Sequence, residues 1–322
     1  MLIESSSIPK YRDLSLPGDD ILAVLPGSLY AVFDGATDAR GLQVQGVSSG
    51  RFAASQAALA MMTHAVGPGR AARSPDEWLV SMNRVIAQGL QGANAASVRV
   101  GTTAAVVEDA GGDSLRFLIV GDSGIRINGD ELIWLHKDVD LIYSAVRVAV
   151  YHFLQARGVQ GDTLEQRMRE LVSLGLDLAG TGALTTADVA AIIRAARRNC
   201  EGRFQADARA CLDDLMRVGI ARGQSGYANL AGHSLGYAVL NGGITRGPEL
   251  VSFSRLKSSV RSIELFTDGY MSVPKGSRVS DWEAEFHRCE AEDFTKTAAY
   301  ASTKGSSSTQ FSDDRTVLTV YF

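Results

Sequence analysis

Four acidic positions in this chain stand against short apolar, strand-like runs. Asp34 follows Ala31-Val32-Phe33 and precedes Gly35. Asp122 follows Leu118-Ile119-Val120-Gly121 and precedes Ser123. Asp268 follows Glu264-Leu265-Phe266-Thr267 and precedes Gly269, and Asp313-Asp314 stand just ahead of Thr316-Val317. A strand end fixes a carboxylate in space, because the core behind it keeps the backbone rigid. A glycine after it lets the chain turn sharply and lets its carbonyl face the same side. Several carboxylates converging in this way repel one another unless a cation neutralises them. Donors that are all oxygen suit Mg²⁺ or Mn²⁺ rather than zinc. One Asp-Gly after a strand is ordinarily only a turn. Four strand-end sites in one chain, with Gly101-Thr102-Thr103-Ala104 and Asp313-Asp314-Arg315-Thr316 beside them, point to a metal centre.

The elements that must hold these residues are legible around them. Ile21–Leu25 and 29–33, separated by Pro26-Gly27-Ser28, predict strand, turn, strand. Residues 50–66, rich in Ala, Met and Leu, predict a helix. Ser74, Pro75 and Glu77 have the spacing of a helix start: N-cap, first turn and capping-box partner. Strands follow at 102–108, 115–120 and 124–128, and Asn128-Gly129 predicts a hairpin into 131–135. From 138 to 226 the apolar spacing turns helical, with a helix start at Thr186-Ala187-Asp188. Strands are then expected at 237–240, at Ile244, and at 250–253, 263–267 and 316–321. A helix is expected at 282–290 and a mobile loop at 303–310. Strands on both sides of a helical block predict one α+β domain over 1–322, interrupted by a helical insertion at 138–226.

Bulk composition narrows the function classes. Hydrophobic residues are 45% and charged residues 21% of 322, ordinary globular usage with enough material for a sizeable core. A net charge of -4 argues against a nucleic-acid footprint, which needs a basic surplus. Cys200, Cys211 and Cys289 form no C-x-x-C pair and read as reduced thiols in a cytoplasmic protein. Residues 1–12 lack the apolar core of a secretory signal. The richest apolar run, 141–154, contains Arg147 and His152 and is too short to span a membrane.

Together the motifs resemble those of the type 2C metal-dependent Ser/Thr protein phosphatases. Ala31-Val32-Phe33-Asp34-Gly35 resembles their V-x-D-G-H-G-G motif, and Gly101-Thr102-Thr103-Ala104 their G-[ST]-T-A strand. Val120-Gly121-Asp122-Ser123 resembles G-D-S-R, Thr267-Asp268-Gly269 resembles [ST]-D-G-x-x-D, and Asp313-Asp314-Arg315-Thr316 resembles the D-[ND]-x-[ST] ending. The resemblance covers most of the chain outside the insertion. It implies a four-layer α-β-β-α sandwich of two antiparallel sheets flanked by helices. It implies a centre of two Mn²⁺ or Mg²⁺ ions in which Asp34, Asp268 and Asp313 serve catalysis through a metal-activated water. Carried over residue by residue, Asp34 would bridge the ions and Gly35 would add its carbonyl. Asp268 and Asp313 would complete the set, and Asp20, beside Asp19, would hold metal-bound water. Asp122 would be a ligand for a weaker third ion. The implied substrate is a phosphorylated protein, phosphoserine or phosphothreonine, within a kinase system, with no nucleic acid or membrane partner.

The match departs from the family at three places. The family histidine, a general acid, is Ala36 in Asp34-Gly35-Ala36-Thr37-Asp38; such an acid is typically worth about two to four orders of magnitude. Of the remaining histidines, His233 in Gly232-His233-Ser234 is a candidate substitute, and His64 and His136 carry no positional signal. Ser15 stands where the family has its phosphate-binding arginine, which leaves Arg12 and Lys304 as candidates. The last acid of D-G-x-x-D is Ser272. These losses keep two other functions open: a phosphatase-like regulatory module, and a phosphatase for small molecules with the insertion roofing its cleft.

Overall fold

The structure is a computed structural model and describes residues 1–36, 38, 40–69, 73–177 and 184–322. Thr37, part of the motif after Asp34, lies outside them. The chain divides into two compact units. The first is Met1–His136, Ala238–His287 and Asp314–Phe322; the second is Lys137–Tyr237 and Arg288–Asp313.

The first unit contains two five-stranded sheets. One runs β1 (Leu2–Ile8), β12 (Arg315–Tyr321), β11 (Ser262–Phe266), β8 (Gly124–Ile127), β9 (Glu131–Trp134). The other runs β10 (Leu250–Leu256), β7 (Ser114–Val120), β6 (Thr102–Asp109), β3 (Leu29–Gly35), β2 (Ile21–Leu25). All neighbouring strands are antiparallel.

The apolar runs 29–33 in β3, 104–107 in β6 and 117–120 in β7 share one cause. In β3, Leu29, Ala31 and Phe33 enter one core with Phe52, Ala57 and Met61 of α1 (Ser49–Val66) and Trp78, Met82 and Ile86 of α2 (Pro75–Gly92). Tyr30 and Val32 face the other way, into a core with Ile125, Ile127, Ile263, Leu265, Leu318 and Val320 of the facing sheet. Side chains alternate between faces along a strand, so a strand buried on both must be apolar throughout. On the far face of the first sheet, Trp282 of α8 (Val279–Glu292) packs on Phe266 with ring centroids 4.6 Å apart. The layers are therefore α1 and α2, sheet, sheet, α8: an α+β sandwich of two antiparallel sheets with helices outside.

Local signals hold where side chain and backbone cooperate over a few residues. Ser74 and Glu77 form the expected capping box. Asn128 and Gly129 both take positive φ, 58° and 82°, in the three-residue link 128–130 between β8 and β9, where Asp130 N donates to the Ile127 carbonyl at 3.2 Å.

The structure differs from the sequence expectations at one place and adds elements at two others. Residues 237–240 and Ile244 are not strands. Leu240 exchanges backbone hydrogen bonds with Thr102 at 3.0 Å in an isolated bridge. The ladder stops there because Asn83 Oδ1 accepts the next amides, Asn241 N at 3.1 Å and Gly242 N at 3.0 Å; Ile244 is exposed. The first strand, β1, gave no local signal: it is a Ser-rich edge strand whose partner β12 lies at the other end of the chain. The loop before α1 folds into a small hairpin, β4 (Gln43–Val44) and β5 (Val47–Ser48), turning on Gln45 and Gly46, both with positive φ.

The second unit carries α3 (Asp138–Gln155), α4 (Gly161–Leu174), α5 (Thr186–Cys200), α6 (Ala206–Val218) and α7 (Ile220–Gly223). Thr185 and Asp188 cap α5 reciprocally. Among the described residues no helix is long and apolar enough to cross a membrane.

Candidate metal centre

Each carboxylate of the centre is placed by a different strand end. Asp34 lies in β3, opposite Thr103 of β6, and Thr102 Oγ1 donates to the Asp34 carbonyl at 2.7 Å. Asp122 sits in the link between β7 and β8. Gly121 turns that link with φ of 78°, and a Cβ on it would strike the Thr103 side chain. Ser123 Oγ pairs with Thr103 Oγ1 at 2.8 Å, and Trp134 Nε1 donates to the Asp122 carbonyl at 3.0 Å. Asp268 follows β11. Its neighbour Thr267 donates from Oγ1 to Asp20 Oδ2 at 2.8 Å and accepts from Thr316 N at 2.9 Å.

One carboxylate oxygen from each of Asp34, Asp122 and Asp268 lies within 4.8 Å of the other two. Asp122 is buried and its two companions are half-buried. Three like charges this close favour a bound cation or a proton. Carboxylates on rigid strand ends form a hard, all-oxygen donor set that fits Mg²⁺ or Mn²⁺. Asp122, which the resemblance relegates to a weaker third ion, stands with Asp34 and Asp268.

Behind Asp34 the β3 end meets the start of α1 backbone to backbone. A Cβ on Gly50 would come within 2.6 Å of the Gly35 carbonyl carbon, so neither residue tolerates a side chain. Gly50→Ala must part β3 from α1 and displace Asp34. Mn²⁺ affinity, read by calorimetry, should fall by about tenfold or more, a typical cost of disturbing the shell behind a ligand, while helix content by circular dichroism stays close to wild type.

Asp20, directly ahead of β2, is buried and held by Thr267. It lines a cavity of about 370 Å³ with Ser7, Pro17, Arg51 and Asp314. Asp19 accepts a bond from the Ser48 hydroxyl and gives its backbone N–H to Asp314 Oδ2 at 2.9 Å. Lys10 bridges the two, at 3.5 Å from Asp19 Oδ2 and 3.3 Å from Asp314 Oδ2. Lys10 escaped the sequence reading because its partner Asp314 is 304 residues away. Arg12 is exposed. Lys304 and Asp313 belong to the second unit, where Lys304 Nζ pairs with Asp313 Oδ2 at 2.8 Å. Arg315 turns to α8, bonding Glu283 Oε2 at 2.8 Å and lying 3.7 Å over the Phe286 ring.

Ala36 donates its N–H to the Gly101 carbonyl at 3.0 Å. His64 is buried against Glu108 at 2.6 Å. His233, in the second unit, packs tilted against Tyr227 and lies 3.6 Å from Asp207. His136 packs tilted against Trp134, the residue that holds the Asp122 carbonyl.

No protein-family model matches the chain, and no curated protein matches it. Solved structures do. The serine/threonine phosphatase Stp1 from Staphylococcus aureus matches at 11% identity and a TM-score of 0.44, over 100% of this chain and 96% of that one. The PPM Ser-Thr phosphatase MsPP from Mycobacterium smegmatis matches at 14% and 0.41, over 100% and 98%. PppA, a regulatory component of T6SS in Pseudomonas aeruginosa, matches at 14% and 0.41, over 100% and 97%. The metal centre rests on this chain's own carboxylates. In the order of its motifs and the sheets that carry them, the chain is similar to the type 2C metal-dependent phosphatases.

Proposed function

We propose that this chain is a metal-dependent phosphohydrolase acting on phosphoserine and phosphothreonine in proteins. The observation that carries this reading is the approach of three strand-end carboxylate oxygens, from Asp34, Asp122 and Asp268, to within 4.8 Å of one another. These residues would hold Mg²⁺ or Mn²⁺, with Gly35 offering a carbonyl and Asp20 supporting the shell through Thr267. When bound, such ions supply Lewis acidity that neutralises phosphate oxygens and makes water a better nucleophile. Asp313 is proposed as a further ligand from its motif alone, and Lys304 and Arg12 as cations for the phosphate. With Ala36 in the place of a histidine, the chain offers no acid there to protonate a departing alkoxide. Leaving groups of low pKa should therefore suffer least. The proposed setting is the cytoplasm, alongside a kinase that makes the substrate; the three free cysteines accord with it.

Initial rates on an aryl phosphate and on phosphopeptides, with and without Mn²⁺, test the reading. Mn²⁺-dependent release of phosphate from both is expected. A folded chain that binds Mn²⁺ and hydrolyses only small esters would redirect it to small-molecule phosphates. A chain that binds no divalent ion and hydrolyses nothing would make Ala36 the mark of a phosphatase-like regulatory module.

A further inference from the structure

The cavity of about 370 Å³ in the first unit borders the metal centre without being part of it. Asp20 lines it, held by Thr267, the neighbour of Asp268. Arg51 lines it as well, one residue on from Gly50, which packs on the Gly35 backbone next to Asp34. Asp34, Asp122 and Asp268 themselves do not line it. Its apolar walls are Ile8 and Pro9 at the end of β1, and Pro17, Ile21 and Leu22 around the start of β2.

Arg51 is the one cation among the described residues of that lining. It is half-buried, and its guanidinium donates from Nη1 to the Gly18 carbonyl. That carbonyl is fixed in turn, because a Cβ on Gly18 would fall 2.8 Å from Asp314 Oδ1. Among the described residues no carboxylate pairs with Arg51. Asp314 lines the same cavity but is held by Lys10 N at 2.6 Å, Lys10 Nζ at 3.3 Å and Asp19 N at 2.9 Å. A guanidinium carries five donors in a planar fork, so one carbonyl leaves most of them for water or a ligand.

Such a fork matches the two oxygens of a carboxylate. A few placed polar groups in an otherwise apolar pocket are what fix the orientation of a ligand. The phosphate to be hydrolysed must lie against ions held by Asp34, Asp122 and Asp268, none of which lines this cavity. The group that Arg51 receives is therefore a neighbour of the phosphoresidue on the same peptide. We infer that the cavity is a specificity subsite, in which Arg51 pairs with a glutamate side chain flanking the phosphoserine or phosphothreonine while its methylenes lie on the apolar walls. The inference rests on the proposed function, which makes a phosphopeptide the substrate. Asp314, held by Lys10 and two amides, and Asp20, held by Thr267, do not take Arg51 from that glutamate.

A set of phosphoserine peptides tests it, with Glu, Gln or Lys placed at each flanking position in turn. Two quantities are read with Mn²⁺ present: kcat/KM for each peptide, and the affinity of its phosphonate analogue, which resists hydrolysis, by fluorescence anisotropy. At one flanking position wild type should prefer Glu over Gln by about tenfold in both, the scale of one charge-assisted bond. In Arg51→Ala that ratio should fall to about one. Arg51→Lys should keep part of it, because the charge stays and the fork is lost. Arg51→Glu should turn the preference toward Lys. Each ratio is taken within one variant, so a smaller folded fraction cancels. A wild type that treats Glu and Gln alike at every position would overturn the inference and leave the proposed function standing, since all the peptides are still hydrolysed. So would a Glu preference that survives in Arg51→Ala. A wild type that hydrolyses none of them sinks the proposed function alone: the phosphonate affinities then decide the subsite, by the same ratio and its loss in Arg51→Ala.

Discussion

Asp268→Asn is expected to lower Mn²⁺-dependent hydrolysis of an aryl phosphate by about a thousandfold or more, equivalent to ~4 kcal/mol of barrier. The substitution keeps the shape of the side chain and removes one of three negative charges whose oxygens lie within 4.8 Å of one another. An amide oxygen is a weaker ligand for a hard cation than a carboxylate. The support around Asp268 should survive, because the bonds of Thr267 to Asp20 and Thr316 do not involve the Asp268 side chain. The loss is therefore one of metal chemistry with the fold intact. Part of it should return at high Mn²⁺, which separates weakened affinity from misplacement. Activity within tenfold of wild type at limiting Mn²⁺ would remove Asp268 from the centre and the proposed mechanism with it.

What the sequence made legible follows from the range of the interactions. Asp34-Gly35 and Asp268-Gly269 announce themselves because a strand end and its turn are written in consecutive residues. So do Asn128-Gly129 and the Ser74–Glu77 box, whose bonds close within three residues. The apolar runs in β3, β6 and β7 announced strands, while the layers on both sides of them were implied by the resemblance and not by the runs themselves. Contacts made at long range left no such trace. β1 is polar and short of local preference, and is a strand only because β12 pairs with it. Lys10, Asp19 and Asp314 meet only once both chain ends have folded. Asp122 could be named as a metal candidate, but its company with Asp34 and Asp268 depends on the turn at Gly121 and its fit against Thr103. The anchoring of 303–310 at Gly305, whose N–H bonds Glu165 and whose carbonyl bonds Arg169, was hidden for a related reason. Its Ser, Thr and Gly residues look mobile, and the charges that hold Gly305 lie some 140 residues earlier in α4.

Glu264→Ala should destabilise the protein by about 3–5 kcal/mol, the cost of breaking one side of a buried ion pair. Glu264 points from β11 away from the inter-sheet core, toward α8, and is fully buried. Arg126 of β8, opposite it in register, donates from Nε to Glu264 Oε1 at 2.9 Å and from Nη2 to Oε2. Trp282 Nε1 of α8 donates to the same carboxylate at 2.9 Å. Arg126 also reaches the Gly276 carbonyl at 2.6 Å and that of Pro274. The pair thus ties β8, β11, α8 and the segment that leaves Asp268 into one cluster. Alanine at 264 would strand a buried guanidinium and an indole N–H while opening a cavity. Melting should shift down by about 10 °C at the usual scaling for a chain of this size. Adding Arg126→Met should recover a large part of the loss, because a missing pair costs less than a single buried charge, and the double-mutant cycle measures the coupling. Mn²⁺-dependent activity below the melting range should fall less in the double variant than in Glu264→Ala. A single variant within about 1 kcal/mol of wild type, no more than an exposed pair contributes, would mean that the Arg126 bonds to Pro274 and Gly276 suffice to hold the cluster.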